Sequence, residues 1–185
     1  MGKTAALNRN VVNEEALKKT YNYKKCGLAM SMGMGKTRIG LKHMQKFFDP
    51  FVKYLVVAPK HSVFASWIDE IAEINAEDLI PHITFTTYLS INKHNPNDFD
   101  CVYLDECHSL LESHEPFLSN FKGRILGLTG TPPKRKGSEK WRMVQKYCPI
   151  IYTFTVDQAA DSNILNDYKI VVHQLELSGL PTLMK

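Results

Sequence analysis

Cysteine is scarce in this chain and spaced for neither disulfides nor zinc. Its four cysteines, Cys26, Cys101, Cys107 and Cys148, include no C-x-x-C pair. His108, beside Cys107, has no second Cys/His cluster to complete a zinc site. Cys26 and Cys101 lie in apolar runs and read as buried thiols. The pattern argues against a disulfide-stapled secreted fold, and a reducing intracellular setting is expected. Long apolar runs are missing too, since none approaches the roughly 18 to 20 residues of a membrane span. The polar start, Met1 to Asn10, has no signal-peptide core. The expectation is a soluble protein of the cytoplasm, the nucleus or a virus inside its host cell, with no membrane partner. Strong charge of one sign is also lacking. The net charge of +4 fits nucleic acid, and it fits simple solubility as well.

What is present suits one domain with a sizeable core: 185 residues, 44% hydrophobic and 23% charged. Asn13-Glu14-Glu15 before Ala16, Leu17 and Tyr21 reads as a capped helix. Cys26 to Met30 reads as a strand entering a Gly-rich turn, and Thr37 to Phe48 as a helix ended by Asp49-Pro50. Tyr54 to Ala58 is a continuous apolar run of strand length, stopped by Pro59. Such runs suit strands buried on both faces. A helix over Ser62 to Ile74 is expected, with strands at Ile83 to Thr87, Cys101 to Leu104 and Arg124 to Leu128. Trp141, Val144 and Tyr147 suggest a helix, and Lys169 to Val172 a late strand. Asn92 to Asp98 reads as a turn-rich loop. Alternating strands and helices predict an α/β domain with a mostly parallel, doubly wound sheet flanked by helices.

The strongest local signal is Gly33-Met34-Gly35-Lys36-Thr37, between an expected strand and an expected helix. Glycines let the backbone wrap an anion with successive N–H groups pointing inward, and the helix adds its positive N-terminal end. Lys36 would reach the β- and γ-phosphates, and the Thr37 hydroxyl would ligate Mg²⁺. The full pattern asks for glycine at position 30, where this chain has Met30, so an ordinary strand-to-helix turn stays open.

Downstream, the strand Cys101 to Leu104 runs into Asp105-Glu106-Cys107-His108. Carboxylates at the C-terminal end of a buried strand sit where α/β sheets keep ligands. Asp105 is placed to hold Mg²⁺, usually through water, and Glu106 to orient or deprotonate an attacking water. The rival reading is a pair of acids at a helix N-terminus. Leu128-Thr129-Gly130-Thr131-Pro132-Pro133 follows another strand; its hydroxyls would sense a γ-phosphate, and by itself it is also a good turn.

Taken in order, Gly-Met-Gly-Lys-Thr, Val-Val-Ala-Pro-Lys, Thr-Thr-Tyr, Asp-Glu-Cys-His and Leu-Thr-Gly-Thr-Pro resemble motifs I, Ia, Ib, II and III of superfamily 2 helicases and translocases. The stretch Leu28 to Thr37 looks most like the Swi/Snf-type and phage version, which also lacks the first glycine. The resemblance covers roughly residues 26 to 135. It implies a RecA-like P-loop fold, with ATP and Mg²⁺ as cofactors. The nucleotide would lie on Met32, Gly33, Met34, Gly35, Lys36, Thr37 and Arg38. Catalysis would fall to Glu106, Lys36 and Asp105, and metal binding to Thr37 and Asp105. His108, Thr129 and Thr131 would couple the site to its surroundings. Pro59, Lys60 and Thr87 would touch a sugar–phosphate strand, positioning it without reading sequence. Lys60 also reads as a surface lysine, Trp67 as core and His108 as a loop histidine without a role.

Two parts of the family pattern are missing. No glutamine precedes Gln45, where the family has an adenine-reading segment, which leaves Tyr21 or Tyr23 to stack on the base. Motifs IV to VI, with the arginine finger, belong to a second RecA-like domain, and Lys185 ends the sequence where a connection would begin. The expected layout is a helical lead-in over 1–25, the ATP-binding domain over 26–177 and an exit segment over 178–185. The expected function is that of a motor domain on DNA, in preference to RNA, binding ATP and hydrolysing it slowly by itself. A nonenzymatic nucleic-acid-binding module and a partner-dependent ATPase subunit stay open. A GTPase or small-molecule kinase fits less well, because Asn92-Lys93-His94-Asn95 lacks the acid that pairs with guanine.

Overall fold

Six strands form one sheet in a computed structural model that describes residues 2–155 and Gln158. They are β1 (Lys25–Met30), β2 (Tyr54–Ala58), β3 (Ile83–Thr87), β4 (Cys101–Asp105), β5 (Arg124–Thr129) and β6 (Ile150–Phe154). Their spatial order is β3-β2-β4-β5-β1-β6, and every neighbouring pair is parallel. All five residues of β2 and all five of β4 are buried, which explains their continuous apolar sequences.

The two faces of the sheet are covered by different helices, and the period of two along each strand divides the core accordingly. On one face Tyr54, Val56 and Tyr103 pack with α1 (Gly2–Thr20), α2 (Lys36–Lys46) and α3 (Ser62–Glu73) through Leu17, Met44, Trp67 and Ile71. On the other, Leu55, Val57 and Leu104 meet α4 (Glu115–Leu118) and α5 (Glu139–Tyr147) through Phe117, Leu118, Met143 and Val144. Each large apolar side chain buried this way contributes roughly 1.5–3 kcal/mol. Ser138 starts α5 by accepting a hydrogen bond from the Trp141 amide at 3.2 Å.

Several boundaries differ from the sequence expectation. The first helix does not begin at Asn13 but runs from Gly2, through Ala5, Ala6 and Leu7, all good helix formers. Asn13 is therefore an interior residue of α1 and not its cap. The buried face of α1, with Ala16, Leu17 and Thr20, packs into the same core as the sheet. β6 was not expected: it follows Pro149, lies at the sheet edge beside β1, and is only partly buried. The Asn92 to Asp98 loop contains 3₁₀ turns at Tyr88–Lys93 and Pro96–Asp98, and the Asn95 carboxamide oxygen accepts from the Asn97 amide at 3.0 Å. The strand expected at Lys169 to Val172 and the exit segment 178–185 lie outside the described residues. All four cysteines are buried and free. Among the described residues no helix is long and apolar enough to cross a membrane.

Candidate nucleotide site

The ends of β1, β5 and β4 are neighbours, so parallel pairing brings the Gly-rich loop, the Thr-Gly-Thr turn and the acidic pair to one edge of the sheet. That is the C-terminal edge, where open α/β sheets place ligands. The loop after β1 turns on Gly33 and Gly35, whose φ values of 85° and 83° are in the left-handed region that favours glycine. Gly35 caps α2 with no side-chain hydrogen bond, and the first turn of that helix contains no acid. Its leading N–H groups are thus open to an anion. The Lys36 ammonium donates to the Met30 carbonyl at 3.2 Å and has no carboxylate partner within salt-bridge distance among the described residues.

The residues present fit a nucleoside triphosphate. Ser31 Oγ is buried at the start of the loop without a hydrogen-bond partner, and so is Asn13 Oδ1. Buried polar atoms without partners are uncommon in native proteins and mark places where a water or ligand completes the bonding. Asn13 Nδ2 lies 3.2 Å from where a Cβ on Gly35 would be, which sets the carboxamide against the loop. Beside it a cavity of about 290 Å³ is lined by Asn10, Asn13, Glu14 and Leu17 of α1 and by Arg38 and Lys42 of α2. In the sequence Asn13 reads as a helix cap, and Tyr21 or Tyr23 is left to stack on the base. Those rings line a separate cavity of about 450 Å³ with Lys24, Asp100 and Gly123, at the opposite edge of the sheet where β1, β4 and β5 begin.

On the acidic side, Asp105 is the last residue of β4 and is buried. Burial raises its carboxyl above the usual carboxylate range; the Trp67 indole hydrogen bond and the Lys36 charge act the other way, while the neighbouring Glu106 charge adds to the rise. Trp67 Nε1 donates to Asp105 Oδ2 at 2.9 Å, and the Tyr88 hydroxyl donates to the Asp105 carbonyl at 2.7 Å. Glu106 has φ 50°, a left-handed backbone uncommon outside glycine and asparagine. Among the described residues no group of three or more His, Cys, Asp or Glu gathers as a metal cluster. In donor chemistry Asp105 and Thr37 would suit Mg²⁺, which binds through few protein oxygens, keeps several waters and takes other ligands from phosphate.

His108 joins the two halves of the edge. Its Nδ1 lies 2.8 Å from Thr129 Oγ1, 3.2 Å from Thr131 Oγ1 and 3.3 Å from Glu106 Oε2. Thr129 Oγ1 already accepts from the Thr131 amide at 3.0 Å, so its own proton is free to go to the ring. One ring nitrogen serves one strong bond at a time. An Nδ1 without a proton accepts from a threonine hydroxyl, and an Nδ1 that carries one donates to the Glu106 carboxylate, so the partners compete according to the tautomer.

The remaining residues singled out in the sequence lie further along the same edge. Pro59 and Lys60 follow β2 and are exposed, and Thr87 ends β3 in register with Ala58. Thr87 as a whole residue is 6% exposed, so it offers little surface to a large ligand. Met32 is exposed at the loop tip and Met34 is buried beneath it. Arg38 leaves the phosphate loop to pair with Glu70 and, at 3.3 Å, with Glu73 of α3. Lys134, Arg135 and Lys136, which no sequence motif marks, are three exposed cations after the Thr-Gly-Thr-Pro turn.

Comparison with known proteins agrees with this geometry. Solved structures with the same fold include the UvsW helicase from bacteriophage T4, with TM-score 0.64, 14% identity, and 76% of this chain and 58% of that one covered. The type ISP restriction-modification enzyme LlaGI, solved with a DNA substrate mimic, has TM-score 0.59 and 18% identity over 85% of this chain and 20% of that one. The African swine fever virus protein named "Putative ATP-dependent RNA helicase QP509L" is 29% identical over 135 residues, covering 58% of this chain. This chain spans 25% of that relative's length. The model of the ResIII family, described as the res subunit of type III restriction enzymes, matches residues 5–134. That span takes in the loop, the acidic pair and the Thr-Gly-Thr turn together, and the chain belongs to this family, the first RecA-like domain of superfamily 2 helicases and translocases.

Proposed function

We propose that this chain is the ATP-binding motor domain of a nucleic-acid helicase or translocase, completed by a second RecA-like domain. The observation that carries the reading is an ammonium with no carboxylate partner among the described residues, Lys36, at a helix N-terminus on the same sheet edge as a buried carboxylate, Asp105. That arrangement holds a phosphate chain on one side and a hydrated divalent cation on the other. Lys36 and the α2 amides bind the β- and γ-phosphates. Thr37 and Asp105 would hold Mg²⁺, which would supply charge stabilisation for the phosphate oxygens. Glu106 orients the attacking water and takes its proton, and His108 carries the state of the γ-phosphate to Thr129 and Thr131. Asn13 faces the nucleoside from the cavity between α1 and α2. The strand lies over Pro59, Lys60 and the end of β3, with Lys134, Arg135 and Lys136 as further phosphate partners.

The relative named as an RNA helicase and the neighbour solved with a DNA mimic point to different strands. The test is anisotropy of labelled single-stranded DNA and RNA with the 185-residue chain, with and without a non-hydrolysable ATP analogue. Salt-sensitive binding that responds to nucleotide and weakens in Lys60→Ala is expected. Absence of binding to either strand at low salt would end the motor reading.

A further inference from the structure

We propose that Trp67 is a positioning residue for the metal-bound state of the site: its indole N–H fixes one oxygen of Asp105 so that the carboxylate presents the other to Mg²⁺. The inference rests on the reading of the site given above and adds to it a residue that never touches nucleotide. Trp67 is fully buried among apolar side chains, and as a core filler alone it has no need of its nitrogen. Yet Nε1 donates at 2.9 Å to a carboxylate that is itself buried. A buried tryptophan N–H needs an acceptor. When that acceptor is charged the bond is among the stronger kinds and is directional. The last torsion of an aspartate is broad, so a carboxylate with both oxygens free samples many orientations. Tying down Oδ2 selects one of them.

The surroundings are shaped to hold the indole where it is. Gly40 of α2 has no Cβ; one placed there would lie 2.8 Å from the Trp67 ring, so the missing side chain admits the indole edge against the phosphate-loop helix. Arg38, two residues before Gly40, ties that helix to α3 through Glu70 and Glu73, both C-terminal to Trp67. Tyr88 holds the main chain of the same aspartate at 2.7 Å. Both donors grow out of segments that face the proposed strand: α3 starts at Ser62, just past Lys60, and Tyr88 follows Thr87.

The test separates orientation from packing. Calorimetry with a non-hydrolysable ATP analogue is run in EDTA and in Mg²⁺ on the 185-residue chain and on Trp67→Phe, which keeps a ring and loses the N–H. Metal-free affinity within about twofold of wild type is expected, with the tightening produced by Mg²⁺ reduced about tenfold. In an Asp105→Ala background the same substitution should have no further effect on that tightening. Unchanged Mg²⁺ tightening in Trp67→Phe, with lowered thermal stability as its sole defect, overturns the proposal. Where Trp67→Phe does not fold, the wild-type indole N–H resonance decides, assigned with Trp141→Phe. A shift on adding Mg²⁺ to the nucleotide complex supports the role, and a resonance indifferent to Mg²⁺ overturns it. If the wild-type chain binds no nucleotide in either buffer, the reading of the site falls first and this inference with it.

Discussion

Acidification from pH 7 to pH 5 should remove about 2 kcal/mol of folding stability through His43 alone. His43 is 2% exposed on α2, the helix that begins with Lys36 and Thr37, and its Nδ1 lies 2.8 Å from the Tyr103 hydroxyl. Burial first, and the Arg124 guanidinium second, lower its pKa from 6.5 to about 4. The unfolded chain therefore takes up this proton near pH 6.5, and the folded chain not until about pH 4. Between those values the unfolded state binds more protons, so the stability is fully present above pH 6.5 and declines as pH falls towards 4. About 1.5 pH units of that window lie above pH 5, at roughly 1.36 kcal/mol per unit. Other groups titrate over the same range, so the comparison is with His43→Gln, which keeps a polar group facing Tyr103 and does not titrate. Urea denaturation of both proteins at pH 7 and pH 5 is the assay. With a slope of about 2 kcal/mol per molar urea, the wild-type midpoint should fall about 1 M further than that of the variant. Equal falls would refute the reasoning, because they would mean the ring is charged or solvated in the folded state.

Two other outcomes follow from the site. Replacing Glu106 with Gln should leave ATP affinity nearly unchanged and remove hydrolysis, measured by calorimetry and phosphate release; a loss of binding would show that the carboxylate holds ligand and does not activate water. Gly40→Ala puts a methyl group 2.8 Å from the Trp67 ring, and overpacking of that kind should cost about 1–3 kcal/mol in urea denaturation and shift the Trp67 emission. A variant as stable as wild type, with unchanged emission, would mean the helices are less tightly packed there.

Local chemistry made much of this molecule legible in its sequence. β2 and β3 fall at their expected bounds because each is a strand-length run of β-formers, and Pro59 stops the first. The loop from Gly33 to Thr37 and the pair Asp105-Glu106 stand out in the sequence by residue type, and parallel pairing brings them to one edge of the sheet. What escaped depends on contacts distant in sequence. Trp67 meets Asp105 across 38 positions, and in the sequence its place on an apolar helix face reads as core. Asn13 read as a helix cap by its neighbours, whereas its position against Gly35 depends on how α1 packs on α2. Tyr21 and Tyr23 suit a base by their aromaticity, but they follow the end of α1 and line a cavity where β1, β4 and β5 begin. β6 was missed because an edge strand with partly exposed residues has no continuous buried run to announce it.

Calorimetric titration of Mg²⁺-ATP into the wild-type chain and into Lys36→Ala tests the nucleotide site most directly. The alanine removes the ammonium whose single protein hydrogen bond among the described residues is to the Met30 carbonyl. Saturable binding of one ATP per wild-type chain, lost in the variant, is the predicted result. Equal affinity in the two proteins, or no binding by the wild type, would contradict it.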